Sequence, residues 1–389
     1  MAVVQGYCDP KFEKLKALLE HYVNSGEEIG ASVAVNIDGK MVVDIYGGFI
    51  DEDRTKPCSK DTIVNVWSST KTITALAVLM LHDRGLLDVN EKVSKYWPEF
   101  AANGKEDVRV RHLLSHTSGV SGWEQPVTLQ DLYDTKASTD RLAQQSPWWE
   151  PGTASGYHSL SMGHLLGEVV RRVTGKSLSQ FVFEEIAEPL GADFQIGAKE
   201  SDWGRIAPVV PPPAADFGKL DPESITIKTF GGPVVHADDA NTPEWRRAEV
   251  GAANGHTNAR ALCQILSAIS LGGTFNGNKL LSQKTIDLIF EPQADGIDLA
   301  MGLPIRFGIG YGIAGGGTEQ SMPHVPPGQN RRICFWGGWG GSFELMDLDK
   351  HMTFAYTMNK MGPGTLGTTR TSSLVKACYE ALEEALESN

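Results

Sequence analysis

Ser68, Ser69, Thr70 and Lys71 stand directly ahead of a strongly apolar stretch, residues 73–82. A serine followed three residues later by a lysine is a pairing with chemical consequences. In the first turn of a helix, residues three apart share a face, so Lys71 can reach the Ser68 hydroxyl. A lysine buried beside such a stretch sheds its charge more readily than one in water, and its neutral amine can accept a proton. The chemistry this allows is nucleophilic, with the serine oxygen attacking an acyl carbon and becoming acylated. The bland reading makes Ser68 a helix N-cap and Lys71 half of a buried salt bridge. A second match to the same spacing, Ser373 and Lys376, is an internal control: it opens an amphipathic, Glu-rich terminal helix. A lysine at the start of an apolar helix, by contrast, needs a reason to be there.

The elements that must hold these residues are legible in outline. Apolar residues at helical spacing over 11–23 predict an N-terminal amphipathic helix that stops at Gly26. Val- and Ile-rich runs at 31–37 and 41–46 flank Asp38 and Gly39, a pair suited to a tight hairpin. The 73–82 stretch is apolar nearly all round and predicts a helix buried in the middle of the protein. From 86 to about 191 the pattern is helical with short polar breaks, including 162–173 and 178–186. The prolines of 208–213 predict a surface loop or wall, leading into poorly patterned sequence up to Arg247. Beyond a helix over 258–271, strand-like runs return at 307–313, 332–336, 343–348 and 352–358, and a helix over 373–386 follows. Strands from both ends with helices between predict an α/β domain made of 1–85 and 250–389, its antiparallel sheet flanked by terminal helices. Residues 86–249 form an inserted, mostly helical domain in this reading.

Composition narrows the function classes. The 389 residues are 41% hydrophobic and 21% charged, enough to bury a sizeable core. With 35 basic against 48 acidic residues the formal net charge is -13, and no Lys/Arg run suits a phosphate backbone, so nucleic acid is not an expected partner. Five scattered cysteines without CxxC spacing indicate neither a disulfide framework nor a zinc site. The first ten residues lack a basic start and an apolar core, and the longest apolar run, 75–81, is too short to span a bilayer. A soluble cytoplasmic protein with no membrane partner is therefore expected. His112 and His116, at i and i+4, are a poor metal pair because no third ligand lies nearby in sequence, and neither a metal nor a cofactor is expected. No Gly-x-Ser-x-Gly elbow, HExxH or strand-to-helix GxGxxG is present.

Three further segments add to the Ser68–Lys71 pair: 111–120 (RHLLSHTSGV), 150–157 (EPGTASGY) and 336–342 (WGGWGGS). In that order they resemble the serine β-lactamases of class C, the penicillin-binding proteins and, above all, the family VIII carboxylesterases. The similarity runs over roughly 31–359 and is weakest at 203–250. The resemblance implies the β-lactamase/transpeptidase-like fold and puts Tyr157 in the family's second motif beside Ser68 and Lys71. It places Trp336, Gly337 and Gly338 where other members carry KTG or HTG. WGG is the form the esterases show, and tryptophan cannot supply the positive charge that helps hold a β-lactam carboxylate. Ser159 departs from the YxN form, where asparagine would stand, and His158 lies between it and Tyr157; both are candidate substrate contacts, with local hydrogen bonding in a loop as the bland reading. By the same resemblance, the backbone amides of Ser68 and Trp339 form an oxyanion hole. Of the tryptophans at 123, 148, 149, 203, 245 and 339, the last lies nearest the motif.

The implied function is hydrolysis of small-molecule carboxylic esters through a Ser68 acyl-enzyme, with no cofactor. Whether Lys71 or Tyr157 is the base stays open at this level, as do the substrate and the oligomeric state. An acyltransferase, a β-lactamase or D-amino-acid peptidase, and a non-catalytic scaffold of the same fold are the competing readings.

Overall fold

The computed structural model describes residues 3–214 and 220–387. The hairpin at Asp38 and Gly39 forms as its residues require: both take positive φ, 51° and 82°, and join strands Gly30–Ile37 and Lys40–Gly48. These become β2 and β3 of a nine-stranded antiparallel sheet. Its other strands are β1 (Gln5–Cys8), β4 (Ala294–Ile297), β5 (Pro304–Phe307), β6 (Gly312–Ile313), β7 (Ile333–Gly337), β8 (Phe343–Asp347) and β9 (Met352–Met358). The order across the sheet is β1-β3-β2-β9-β8-β7-β6-β5-β4, so the end of the chain pairs with its beginning at β9 and β2.

Each face of the sheet is covered by helices. Met352 reaches Cys378 and Asp347 accepts from the Tyr379 hydroxyl at 2.8 Å, both on helix α5 (Thr369–Glu387), which lies beside α1 (Glu13–Ser25). The neighbouring Thr353 turns the opposite way to Ser270 of α4 (Ala259–Ser270), 2.8 Å away, as strand alternation demands. On that second face lies α2 (Thr70–Asp83), whose residues from Thr70 to Leu81 are all buried. A helix enclosed all round has no solvent face to satisfy, which is why its sequence shows no amphipathic stripe. Helix α3 (Ser161–Thr174) packs across α2 from the middle of the chain.

One sequence expectation is corrected. The run at 307–313 is not one strand: the chain reverses between β5 and β6 through Gly308 to Tyr311, with Gly310 at φ +89° and Tyr311 anchored to the Thr72 carbonyl at 2.7 Å. The poorly patterned stretch before Arg247 contains the short helices Ile225–Phe230 and Pro243–Arg247. The edge strands β1 and β4 went unread because they are short and mostly exposed, with no hydrophobic alternation to betray them. Between 208 and 214 the chain is irregular apart from a bridge from Val210 to Lys360. A small sheet of Val64–Asn65, Gly255–Thr257 and Gln195–Ile196 leads into the nucleophile turn. Among the described residues no helix is long and apolar enough to cross a membrane.

Candidate active site

The turn that presents Ser68 begins at Trp67, a non-glycine residue held at φ +49°. The amides of Thr70 and Lys71 then bond back to the carbonyls of Trp67 (2.9 Å) and Ser68 (3.0 Å), starting the helix. The N-cap position falls on Ser69, so the Ser68 hydroxyl is not a cap. It lies 3.0 Å from Lys71 Nζ and accepts a hydrogen bond from the Tyr157 hydroxyl at 2.6 Å. Spacing supplied the first contact, and tertiary structure brings the second across 89 residues.

Lys71 is buried and forms no salt bridge among the described residues. Its other partners are two carbonyls, Ser159 O at 2.7 Å and Ala252 O at 2.9 Å. Burial with no counter-charge holds its pKa well below the ordinary lysine value. The Ala252 carbonyl is placed by backbone packing: a Cβ on Gly163 of α3 would come within 2.2 Å of Ala252 N, and Thr74 donates to Gly251 O at 2.6 Å. The 250–253 loop is therefore pressed between α2 and α3. Tyr157 is buried as well, and desolvation drives its phenol far above its usual pKa. Lys71 Nζ lies 4.8 Å from the centroid of that ring.

The loop carrying Tyr157 rests on the 111–120 segment. His116, at φ +61°, accepts from His158 N at 3.0 Å, and Gly156 N donates to His116 O at 2.9 Å. The His158 ring is buried, with Nε2 at 2.6 Å from Ser118 Oγ and Nδ1 at 2.6 Å from Gly156 O; burial lowers its pKa to about 4. That ring sits behind the tyrosine as a neutral brace. Ser159 offers the site its carbonyl, to Lys71. His112 and His116 do not converge, since His112 Nδ1 accepts from Arg109 N at the start of its own helix. From the far side Asp298 Oδ1 accepts from the amides of Tyr157, Ala300 and Met301 at 2.9–3.0 Å. The residues of 298–301 carry no chemical motif, so this anchor had no sequence signal.

Trp336, next to last in β7, sets its indole Nε1 3.4 Å from the Tyr157 hydroxyl and its ring 5.3 Å from the tyrosine ring. The glycines that follow allow close approach to the nucleophile turn. A Cβ on Gly338 would lie 2.3 Å from Val66 O and 2.3 Å from Ser342 Oγ. Ser342 donates to Val66 O at 3.0 Å and accepts from Ser69 at 3.0 Å, stitching the turn at 338–342 to the turn at 66–69. The half-buried Trp339 ring leans on Trp67 at 5.1 Å, whereas Trp123 and Trp245 are fully buried. Among the described residues neither the Ser68 nor the Trp339 amide is paired with an acceptor. Two unpaired amides on adjoining turns beside the hydroxyl could receive an oxyanion.

An antiparallel sheet built from both ends of the chain, with the SxxK helix buried against it, defines the fold of the serine β-lactamases and penicillin-binding proteins. The Beta-lactamase family profile matches residues 15–377, and the chain belongs to that family. It is 32% identical over 371 residues to Esterase/beta-lactamase LipL of Mycobacterium tuberculosis (strain ATCC 25618 / H37Rv), covering 92% of this chain and 83% of that one. The crystal structure of a family VIII carboxylesterase superposes with a TM-score of 0.89 at 37% identity, covering 97% of this chain and 99% of the other. A penicillin-binding-protein homologue from Caulobacter crescentus superposes with a TM-score of 0.89 at 34% identity, with coverage of 97% and 99%.

Proposed function

We propose that the chain is a serine hydrolase that cleaves carboxylic esters of small molecules through an acyl-enzyme on Ser68. The observation that carries this reading is the Ser68 hydroxyl set between a buried lysine without a counter-charge at 3.0 Å and a buried phenol at 2.6 Å. Similarity to a family VIII carboxylesterase and to an esterase/beta-lactamase supports the substrate class.

Burial favours the neutral amine and the neutral phenol together, which supports Lys71 as the base. Two amine hydrogens go to Ser159 O and Ala252 O, leaving the lone pair for Ser68. The Ser68 proton moves to Lys71 as Oγ bonds to the ester carbonyl carbon, and the oxyanion takes the Ser68 and Trp339 amides. As the carbon–oxygen bond to the alcohol breaks, the proton returns from Lys71 through the Tyr157 hydroxyl to the leaving oxygen. Water repeats the sequence on the acyl-enzyme and frees the acid. Trp336, Gly337, Gly338 and Trp339 line the approach to Ser68, and no step calls for a cofactor. Five cysteines without disulfides suit a cytoplasmic setting.

Hydrolysis of p-nitrophenyl acetate and butyrate by wild type and Ser68→Ala tests the reading, with mass spectrometry after a serine-reactive phosphonate. Turnover lost in a folded Ser68→Ala and a single adduct on the Ser68 peptide are expected; turnover retained in the variant refutes it. Because one similar protein is named for both activities, nitrocefin is the second substrate. Weak turnover is expected, since Trp336 offers no cation to a β-lactam carboxylate.

A further inference from the structure

Glu344 is fully buried in the middle of β8, and neither of its carboxyl oxygens has a hydrogen-bond partner among the described residues. It stands opposite Trp336 on β7 and Ala355 on β9, so it shares the sheet face that carries the Trp336 ring toward Tyr157. An ionised carboxylate there would be prohibitively costly without a cation. Among the described residues no charged group acts on the carboxyl, and the titratable residues Lys71 on α2, Tyr311 in the β5–β6 turn and Cys263 on α4 are engaged elsewhere. Lys71 is committed to Ser68 and two carbonyls, and Tyr311 to the Thr72 carbonyl. Cys263 is held to the Thr353 carbonyl. Burial pushes the Glu344 carboxyl up to about 8, opposed by the neighbouring Ser69 hydroxyl.

A neutral carboxylic acid has one proton to donate, and Ser69 Oγ is free to accept it. Ser69 spends its own proton on Ser342 Oγ at 3.0 Å, and Ser342 spends its proton on Val66 O at 3.0 Å. All the donors then run one way, from the sheet through the nucleophile turn to the glycine turn and back. Such a chain is strengthened by its common direction. We propose that Glu344 is a positioning residue that, as a neutral acid, donates to Ser69 and through Ser342 holds the Trp339 turn against the Ser68 turn. The inference rests on the oxyanion site assigned above. Ionised Glu344 can only accept, so Ser69 rotates its proton toward the carboxylate and releases Ser342. The active form is the protonated one, and activity falls as pH rises through the carboxyl's titration.

The test is the pH dependence of kcat and KM for p-nitrophenyl butyrate, corrected for spontaneous hydrolysis, in wild type, Glu344→Gln and Glu344→Met. Wild type is expected to lose kcat on an alkaline limb near pH 8. Glu344→Gln keeps a neutral donor, so it retains most of the pH 7 rate and loses that limb. Glu344→Met, similar in size without a donor, loses roughly 10- to 100-fold in kcat at pH 7 with KM little changed. An unaltered alkaline limb in Glu344→Gln overturns the inference, as does a folded Glu344→Met with wild-type kcat. If Glu344→Met does not fold, the Glu344→Gln profile decides alone. A parallel Ser68→Ala that retains turnover overturns the site itself, and this inference with it; the Glu344 outcomes leave Ser68 untouched.

Discussion

Gly338→Ala adds one methyl group at the tightest approach between the glycine turn and the nucleophile turn. The new carbon would lie 2.3 Å from Val66 O, 2.3 Å from Ser342 Oγ and 3.2 Å from Trp67 Cβ. Two of these neighbours are backbone or short side chain and cannot swing away, so the turn itself must recede by about 1 Å to reach ordinary contact. That displacement breaks the Ser342 to Val66 hydrogen bond and carries the Trp339 amide away from the Ser68 amide. Losing the hydrogen bond in a buried setting costs about 1–3 kcal/mol of stability. Misplacing an oxyanion donor by this much costs on the order of 100-fold in rate. Gly204→Ala is the matched control, because a Cβ there meets nothing within 4 Å. The assay is kcat/KM for p-nitrophenyl butyrate with single-turnover acylation rates and thermal melting on the same preparations. The loss should fall on acylation rather than on substrate binding. A folded Gly338→Ala that acylates as fast as Gly204→Ala would refute the close-approach argument.

Three other outcomes are expected. With the neutral amine of Lys71 as the proposed base, activity should fall as pH drops through its lowered pKa; Lys71→Arg, always cationic, should lose roughly 10²–10⁴-fold in kcat while still folding. Asp298→Ala strips three backbone amides of their acceptor and should cost roughly 2–4 kcal/mol in urea unfolding together with part of kcat, whereas Asp298→Asn, which keeps an oxygen, should recover most of both. Ser373→Ala should match wild type in kcat and phosphonate labelling, since Lys376 is 78% exposed on α5 and pairs with Glu380, 3.9 Å away.

How much could be read from the chain depended on the range of each interaction. The Ser68–Lys71 contact is local, so spacing revealed it, and the all-apolar α2 announced its own burial. The hairpin at Asp38 and Gly39 and the strands β8 and β9 were legible because strong alternation or turn chemistry marks them. Lys71's other partners are backbone carbonyls of Ser159 and Ala252, and every residue type has a carbonyl. Asp298 acts 141 positions from the tyrosine amide it holds, and nothing in its surroundings distinguishes it from a surface aspartate. His158 misleads in the opposite direction: its type and its place beside Tyr157 suggest a substrate contact, while in the fold its ring faces Ser118 and Gly156. The positive φ of Trp67 is equally silent in sequence, since the left-handed region usually signals glycine or asparagine.

The carbonyls around Lys71 leave its amine without a counter-charge, as the Ala102 and Gln145 carbonyls do for buried Lys105; what sets Lys71 apart as the proposed base is the Ser68 hydroxyl 3.0 Å away. A carboxylate in place of Ser159 O or Ala252 O would satisfy the same hydrogen bonds, but it would stabilise the ammonium and keep the proton on nitrogen. Arg370 shows that alternative within the same protein: it pairs with buried Glu28 at 2.6 Å and stays charged. Two neutral acceptors orient the amine without paying for its charge. The lone pair is then left to the hydroxyl, and the ammonium formed during attack is held only as long as the oxyanion lasts. Introducing an acid beside Lys71 should therefore raise its pKa and move the acid limb of the rate profile upward, even where the protein becomes more stable.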